Sequence, residues 1–300
     1  MIYFFLGKGG VGKTTNAAIN ALRLSKKSKV LIASTDPAHN LGDVFDISLE
    51  HRPINIAENL DACEIDYKRV VEEYLKQITI KIKRKYKYLS AFNLDDSLNI
   101  LKFSPGVEED ALLRAIWSLV NIDIYENVVI DLPPTGLALR IMALPIINEV
   151  WLDKLLKARK KIVDTREALK NISPVFADSS QKDKTNTDEV YNELKKIKEE
   201  NRLIYSRFSD PKSSSIFIVM NIDKLSYAET LRTLDGLREL EISAKTIIVN
   251  RYIEPVADDS LSIMRGIKKS FSNYSIKALP YKEGGIIGIK QLNSAEYFPL

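Results

Sequence analysis

The sequence holds one cysteine, Cys63, in 300 residues. An internal disulfide is therefore impossible, and no CxxC pair exists to supply metal ligands. Such cysteine usage suits a reducing compartment. Charge of one sign is missing too: 44 Lys and Arg stand against 40 Asp and Glu, leaving a net charge of +4. The whole chain is thus not a polycation built for phosphate backbones, and a nucleic-acid role would need a local patch. Every apolar run looks too short to span a bilayer, and the start, MIYFFLGKGG, lacks the charged region and long apolar core of a secretory leader. The expectation is a soluble, cytoplasmic chain. Apolar residues, by contrast, make up 45% of the sequence. That is enough for a sizeable core, and it excludes fibrous, collagenous and wholly disordered classes.

Short β-branched runs at 2–6, 30–34, 62–65, 128–130, 216–220, 246–249 and 275–279 alternate with helical patterns. This rhythm predicts an α/β fold: a doubly wound, mostly parallel sheet covered on both faces. Residues 66–120 and 149–210 depart from it. They are long, charged and periodic at helical spacing, with a strand-like run only at 100–103. They read as a helical subdomain inserted into a core formed by 1–65, 121–148 and 211–300. The Ser/Asp/Thr-rich stretch 173–188 reads as a loop between helices.

Gly7-Lys8-Gly9-Gly10-Val11-Gly12-Lys13-Thr14-Thr15 fits the GxxxxGK[ST] pattern, after a strand and opening a helix. Its glycines let backbone amides approach a β-phosphate, and the helix N-terminus adds a favourable dipole. Lys13 is placed to reach the β- and γ-phosphates of a nucleotide, and the Thr14 hydroxyl to ligate Mg²⁺. A second lysine, Lys8, follows the first glycine. From there a long cation cannot easily curl onto its own loop's phosphates but could reach those of a facing subunit. The run 128–131 ends in Asp131, the Walker B arrangement, and leads into Leu132-Pro133-Pro134-Thr135-Gly136. Asp36, after the strand at 30–34, is a second carboxylate candidate for the metal and its water. An attacking water also needs a group to align it. Asp43, in the polar, glycine-containing run His39-Asn40-Leu41-Gly42-Asp43, suits a loop that closes on triphosphate, with His39 a switch hydrogen-bonder or a plain structural histidine.

The blocks GKGGVGKTT, STDPAHNLGDVF (34–45) and DLPPTGLALR (131–140) resemble the family of arsenite-pump-driving and tail-anchored-protein-targeting ATPases, with deviant Walker A loops. Later blocks, among them SPGVEEDALL (104–113) and LPYKEGGIIG (279–288), have counterparts in the same order. The resemblance is to a single-half member of the archaeal type. It implies ATP and Mg²⁺ as cofactors, a nucleotide-sandwich homodimer with Lys8 acting between subunits, and switch loops at 36–45 and 131–140. It also implies Asp43 as the residue orienting the water, Asn250 with the loop at Pro280 and Tyr281 around adenine, and Asp223 as an adenosine contact. Asp223 stands where relatives carry the longer glutamate. The zinc-clamping CxxC of the eukaryotic targeting factors and the separated cysteines of arsenite pumps are both missing, so no zinc is expected.

The resemblance makes the leading expectation a dimeric ATPase that captures and releases a hydrophobic client, a tail-anchored membrane segment delivered to a membrane receptor. The alternatives are a subunit driving arsenite or anion efflux and a partition ATPase acting on DNA or membrane. The helical segments contain no methionine. Their apolar residues, including Val70, Val71, Leu75, Leu112, Leu113 and Ile116, read equally as a groove or as core. Trp117 and Trp151 read as core aromatics and Cys63 as buried and inert. The basic run 81–88 reads as a solvated helix face, so no nucleic-acid partner is expected.

Overall fold

The computed structural model describes residues 1–37, 40–85, 101–172 and 188–300. Two compact units emerge: Met1–Met142 with Phe208–Leu300, and Ala143–Arg207. Of the two expected helical segments, 66–120 falls within the first unit in its described residues. Segment 149–210 falls within the second except for its last three residues.

The first unit is built on one nine-stranded sheet. Its strands are β1 (Ile2–Leu6), β2 (Val30–Ser34), β3 (Ile54–Ala57), β4 (Leu60–Glu64), β5 (Asn127–Asp131), β6 (Ser214–Met220), β7 (Ala244–Tyr252), β8 (Ser275–Pro280) and β9 (Phe298–Pro299). The order is β3-β4-β2-β5-β1-β6-β7-β8-β9, parallel except for β3 and β9, which pair antiparallel at the two edges. Continuous apolar runs such as VLIAS, buried at every position, require helices on both faces, as a P-loop NTPase fold provides. All seven expected strands are present, and the two edge strands are additions. The run at 100–103 instead holds a 3₁₀ turn, Leu101–Phe103, closed by the Ser104 N–H on the Leu101 carbonyl at 2.9 Å.

Helix α1 (Lys13–Ser25) packs Ala17, Ala18, Ile19 and Ala21 onto the sheet beneath the glycine loop. α2 (Leu41–Phe45) is a single helical stretch. α3 (Tyr67–Lys85) and α4 (Val107–Val120) bury Val70, Val71, Leu75, Leu112, Leu113 and Ile116, so these residues are core, whereas Ile80 and Leu101 of the same apolar set are exposed. The remainder of the basic run beyond Lys85 lies outside the described residues.

α5 (Thr135–Ile172) begins in the first unit, where Ala138, Ile141 and Met142 are buried. Within it, Thr135–Thr165 is long and apolar enough to cross a membrane by length and composition, contrary to the expectation from the sequence. Its charged residues are clustered late, which leaves an apolar window of mean hydropathy 1.3. In the second unit, α5 runs antiparallel to α6 (Glu189–Ser209). Asn148 donates to Asn201 at 3.1 Å, Lys198 pairs with Asp153, and Arg159 grips Asp188 with two nitrogens. Trp151 is not a core residue: it is 60% exposed, and with Ile147, Val150, Leu155 and Ile162 it forms an exposed apolar stripe. The two helices described in this unit offer too little interior to bury a full apolar helix circumference. Trp117 is half-buried. The remaining helices are α7 (Lys224–Glu239), α8 (Asp258–Ser270) and α9 (Ile289–Ser294).

Candidate active site

Three neighbouring strands deliver the site. Phe5 of β1 and Ser34 of β2 both lie abreast of Asp131, the last residue of β5, so the segments leaving these strands emerge together. This is the carboxyl edge where open parallel sheets bind ligands. The chain leaves β1 at Gly7, whose φ is +153° and where a Cβ would lie 2.3 Å from the Val219 carbonyl oxygen. It enters α1 through Gly12, left-handed at φ +91°. Both positions demand glycine, and together they fold Lys8–Val11 over the helix N-terminus.

Behind the loop sits a buried cluster of polar groups. The Lys13 ammonium lies 3.5 Å from Asp36, with both side chains largely buried. The Thr14 hydroxyl donates to Asp131 Oδ2 at 2.7 Å and Ser34 adds a second donor at 3.2 Å. Burial pushes the Asp131 carboxyl up to about 6, against the downward pull of Lys13 and the Thr14 hydroxyl. Its other oxygen, Oδ1, is buried without a hydrogen-bond partner, as is the Thr135 hydroxyl. An unsatisfied buried carboxylate oxygen beside the Thr14 hydroxyl fits a hard cation. Thr14, Asp36 and Asp131 are therefore chemically suited to Mg²⁺. Among the described residues no cluster of three or more His, Cys, Asp or Glu could hold a metal by itself.

Beyond Gly12 a cavity of about 300 Å³ is lined by Gly12, Thr15, Asn250, Pro280, Tyr281 and Gly285. The sheet brings these together because β7 and β8 end side by side, pairing Tyr252 with Pro280. Asn250 is buried and its amide donates to the Val11 carbonyl at 2.7 Å. That contact uses Nδ2 and leaves Oδ1 to receive a donor. The following loop also reaches α2: the Gly288 N–H donates to the Val44 carbonyl at 2.8 Å.

Other expected residues stand apart. Asp223 is not among those lining this cavity; it caps α7, accepting from the Ser226 N–H at 2.8 Å. The polar run around Gly42, expected to be a hinged loop, is helical from Leu41, and the Gly42 N–H is held by Glu64 Oε1 at 2.8 Å. Asp43 lies exposed on this helix. Ala38 and His39 lie outside the described residues. Lys8 is half-buried and makes no ion pair among the described residues. Cys63 is fully buried in β4, and burial pushes its thiol up to about 12, in accord with an inert residue. Ser34, Glu64 and Thr135 were not singled out from sequence. Ser34 ends a strand and Thr135 follows two prolines, positions where small hydroxyl residues are ordinary turn formers.

The chain is similar over its whole length to a protein of Aquifex aeolicus named as arsenical pump-driving ATPase 2, at 29% identity over 100% of this chain and 99% of that one. It is 31% identical to an arsenical pump-driving ATPase of Chlorobaculum tepidum over 97% of this chain and 73% of the relative. Against an ATPase ASNA1 homolog of Plasmodium falciparum the identity is 30%, over 87% of this chain and 65% of the relative. The family model described as anion-transporting ATPase matches residues 1–298. A mostly parallel sheet that ends in a glycine loop over buried Lys13, Thr14 and Asp131 accords with that match, and the chain belongs to the anion-transporting ATPase family, whose members hydrolyse ATP.

Proposed function

We propose that this ATPase is a homodimeric switch in the cytoplasm that captures and releases a hydrophobic segment of a membrane-protein client, meeting a membrane receptor during delivery. The observation that carries this reading is the exposed stripe Ile147, Val150, Trp151, Leu155 and Ile162 on α5. Apolar surface of that extent on one helix face marks a docking surface. The same helix starts at Thr135, four residues beyond Asp131, so client surface and switch segment are one covalent element.

In this reading the N–H groups of the loop from Gly9 to Thr15 and the Lys13 ammonium bind the phosphates, and Asn250 with Pro280 and Tyr281 receives the base. Thr14, Asp36 and Asp131 hold Mg²⁺, which neutralises charge on the transferred phosphoryl group. Asp43 orients the attacking water, and Lys8 supplies a cation to the partner's nucleotide. A mutual Lys8 contact makes closure depend on bound triphosphate.

The test uses Asp43→Asn protein, a fluorescent tail-anchor segment and either ATP or ADP. Capture with ATP and release with ADP support the reading; no capture at micromolar concentration abandons it. The names of the bacterial relatives point instead to an arsenical pump that the ATPase drives. Stimulation of hydrolysis by arsenite would favour that alternative, though Cys63, the sole thiol, is buried.

A further inference from the structure

The carboxyl-terminal segment reaches back to the phosphate loop by a route that the family match does not describe. Tyr297, between α9 and β9, donates its hydroxyl to Asn16 Oδ1 at 2.8 Å. Asn16 is fully buried in the first turn of α1, and its Nδ2 donates to the Gly12 carbonyl at 2.8 Å. The Tyr297 hydroxyl fixes which way the amide faces: with Oδ1 engaged, Nδ2 is the end presented to Gly12. Burial pushes the phenol pKa upward, so the donor stays protonated. Arg23 clamps the same segment, with its guanidinium 4.6 Å over the Tyr297 ring and a 2.9 Å bond to the Ala295 carbonyl.

The Gly12 carbonyl shares a rigid plane with the Lys13 N–H, and the two point in opposite directions. That carbonyl also accepts the Asn16 backbone N–H at 3.1 Å, so the Asn16 amide is the second and shorter bond that holds it, and holding the carbonyl aims the N–H. Asn250 does the same one residue earlier, since its bond to the Val11 carbonyl sets the Gly12 N–H. Two buried amides thus orient two successive peptide planes at the point where the loop becomes a helix, and anion binding there depends on such N–H groups. We propose that Tyr297 and Asn16 are positioning residues that aim the Lys13 N–H at the nucleotide's phosphates. The inference rests on the reading of residues 7–15 as the phosphate site.

Tyr297→Phe keeps the ring and its packing and removes only the hydroxyl. The expected result is a rise of about 3- to 10-fold in KM and Kd for ATP, the effect of one hydrogen bond, with kcat within twofold. GTP binding should weaken by the same factor, because the change acts on phosphate contacts; the melting temperature of the nucleotide-free protein should stay within about 2 °C. Asn16→Asp, which can accept from Tyr297 but cannot donate to Gly12, should weaken binding at least as much. Adding Tyr297→Phe to it should bring no further loss. Wild-type affinity in Tyr297→Phe, a changed ATP-to-GTP ratio, or additive losses in the double variant overturns the proposal. Lys13→Ala separates the two levels: nucleotide binding that survives it overturns the phosphate-site reading itself, whereas its loss leaves Tyr297→Phe to decide the relay alone.

Discussion

Arg140 places its Nε 3.0 Å from Oε1 of Glu109, joining the start of α5 to the N-terminus of α4. Glu109 uses its other oxygen as well, accepting from the Gly106 N–H at 2.9 Å. The cap and the ion pair should separate by mutation. Glu109→Ala removes both and is expected to destabilise the protein by about 1–2 kcal/mol. Glu109→Gln, which retains the cap, and Arg140→Ala, whose side chain is 67% exposed, should each cost less than about 1 kcal/mol. Urea unfolding of the three variants checks the order.

Hydrolysis should depend on Asp43, the one carboxylate inside α2. Asp43→Asn is expected to bind ATP as wild type and to lose turnover by about 10²-fold or more, as when a water-positioning group is removed. Steady-state phosphate release decides it, and turnover within twofold of wild type would falsify the assignment. Because Asp43 is exposed on its helix, the substitution should leave folding intact.

Base selectivity follows from the orientation of one amide. Asn250 gives Nδ2 to the Val11 carbonyl, which leaves Oδ1 as the acceptor end of the amide. An acceptor suits the exocyclic amino group of adenine and repels the carbonyl oxygen of guanine. Unlabelled ATP should displace a labelled adenine nucleotide at far lower concentration than GTP. Asn250→Asp, which cannot donate to Val11, should weaken ATP binding by about 10-fold.

Cys63 provides a pH signature. Its thiol is pushed up to about 12 in the folded protein, largely by burial, against an ordinary value near 9. The folded state therefore keeps a proton that the unfolded chain gives up, and stability should fall as pH rises from about 9 towards 12. Folded protein at pH 8 should resist a thiol reagent that modifies the denatured chain completely. Cys63→Ala should remove this contribution to the alkaline slope of stability, by up to about 1.4 kcal/mol per pH unit.

The seven parallel strands are legible because each carries a short, mostly apolar run, the pattern that burial on both faces of a sheet requires. The edges are not, since β3 has four residues and β9 has two, too few for a periodic pattern to stand out. The glycine loop was readable for the same local reason: loop, lysine and threonine are contiguous. Asn16 and Tyr297 are 281 positions apart, and each looks ordinary in its own window. α2 was read as a loop because its stabilising contact, Glu64 on Gly42, comes from the neighbouring β4. Trp151 was assigned to the core on residue type, which says nothing about how many helices are present to cover it.

The bond from Gly288 to Val44, with Tyr297 on Asn16, sets a timetable for synthesis. Lys13 and Thr14 are synthesised well before Asn250, Pro280 and Tyr281 of the neighbouring cavity and before Tyr297. Amino-terminal parts of a chain fold while translation continues, at roughly 5–20 residues per second. In this protein β1 and α1 are made long before β7 and β8 bring Asn250, Pro280 and Tyr281 to the cavity beside Gly12, so a nascent chain stalled before Pro280 should hold no ATP.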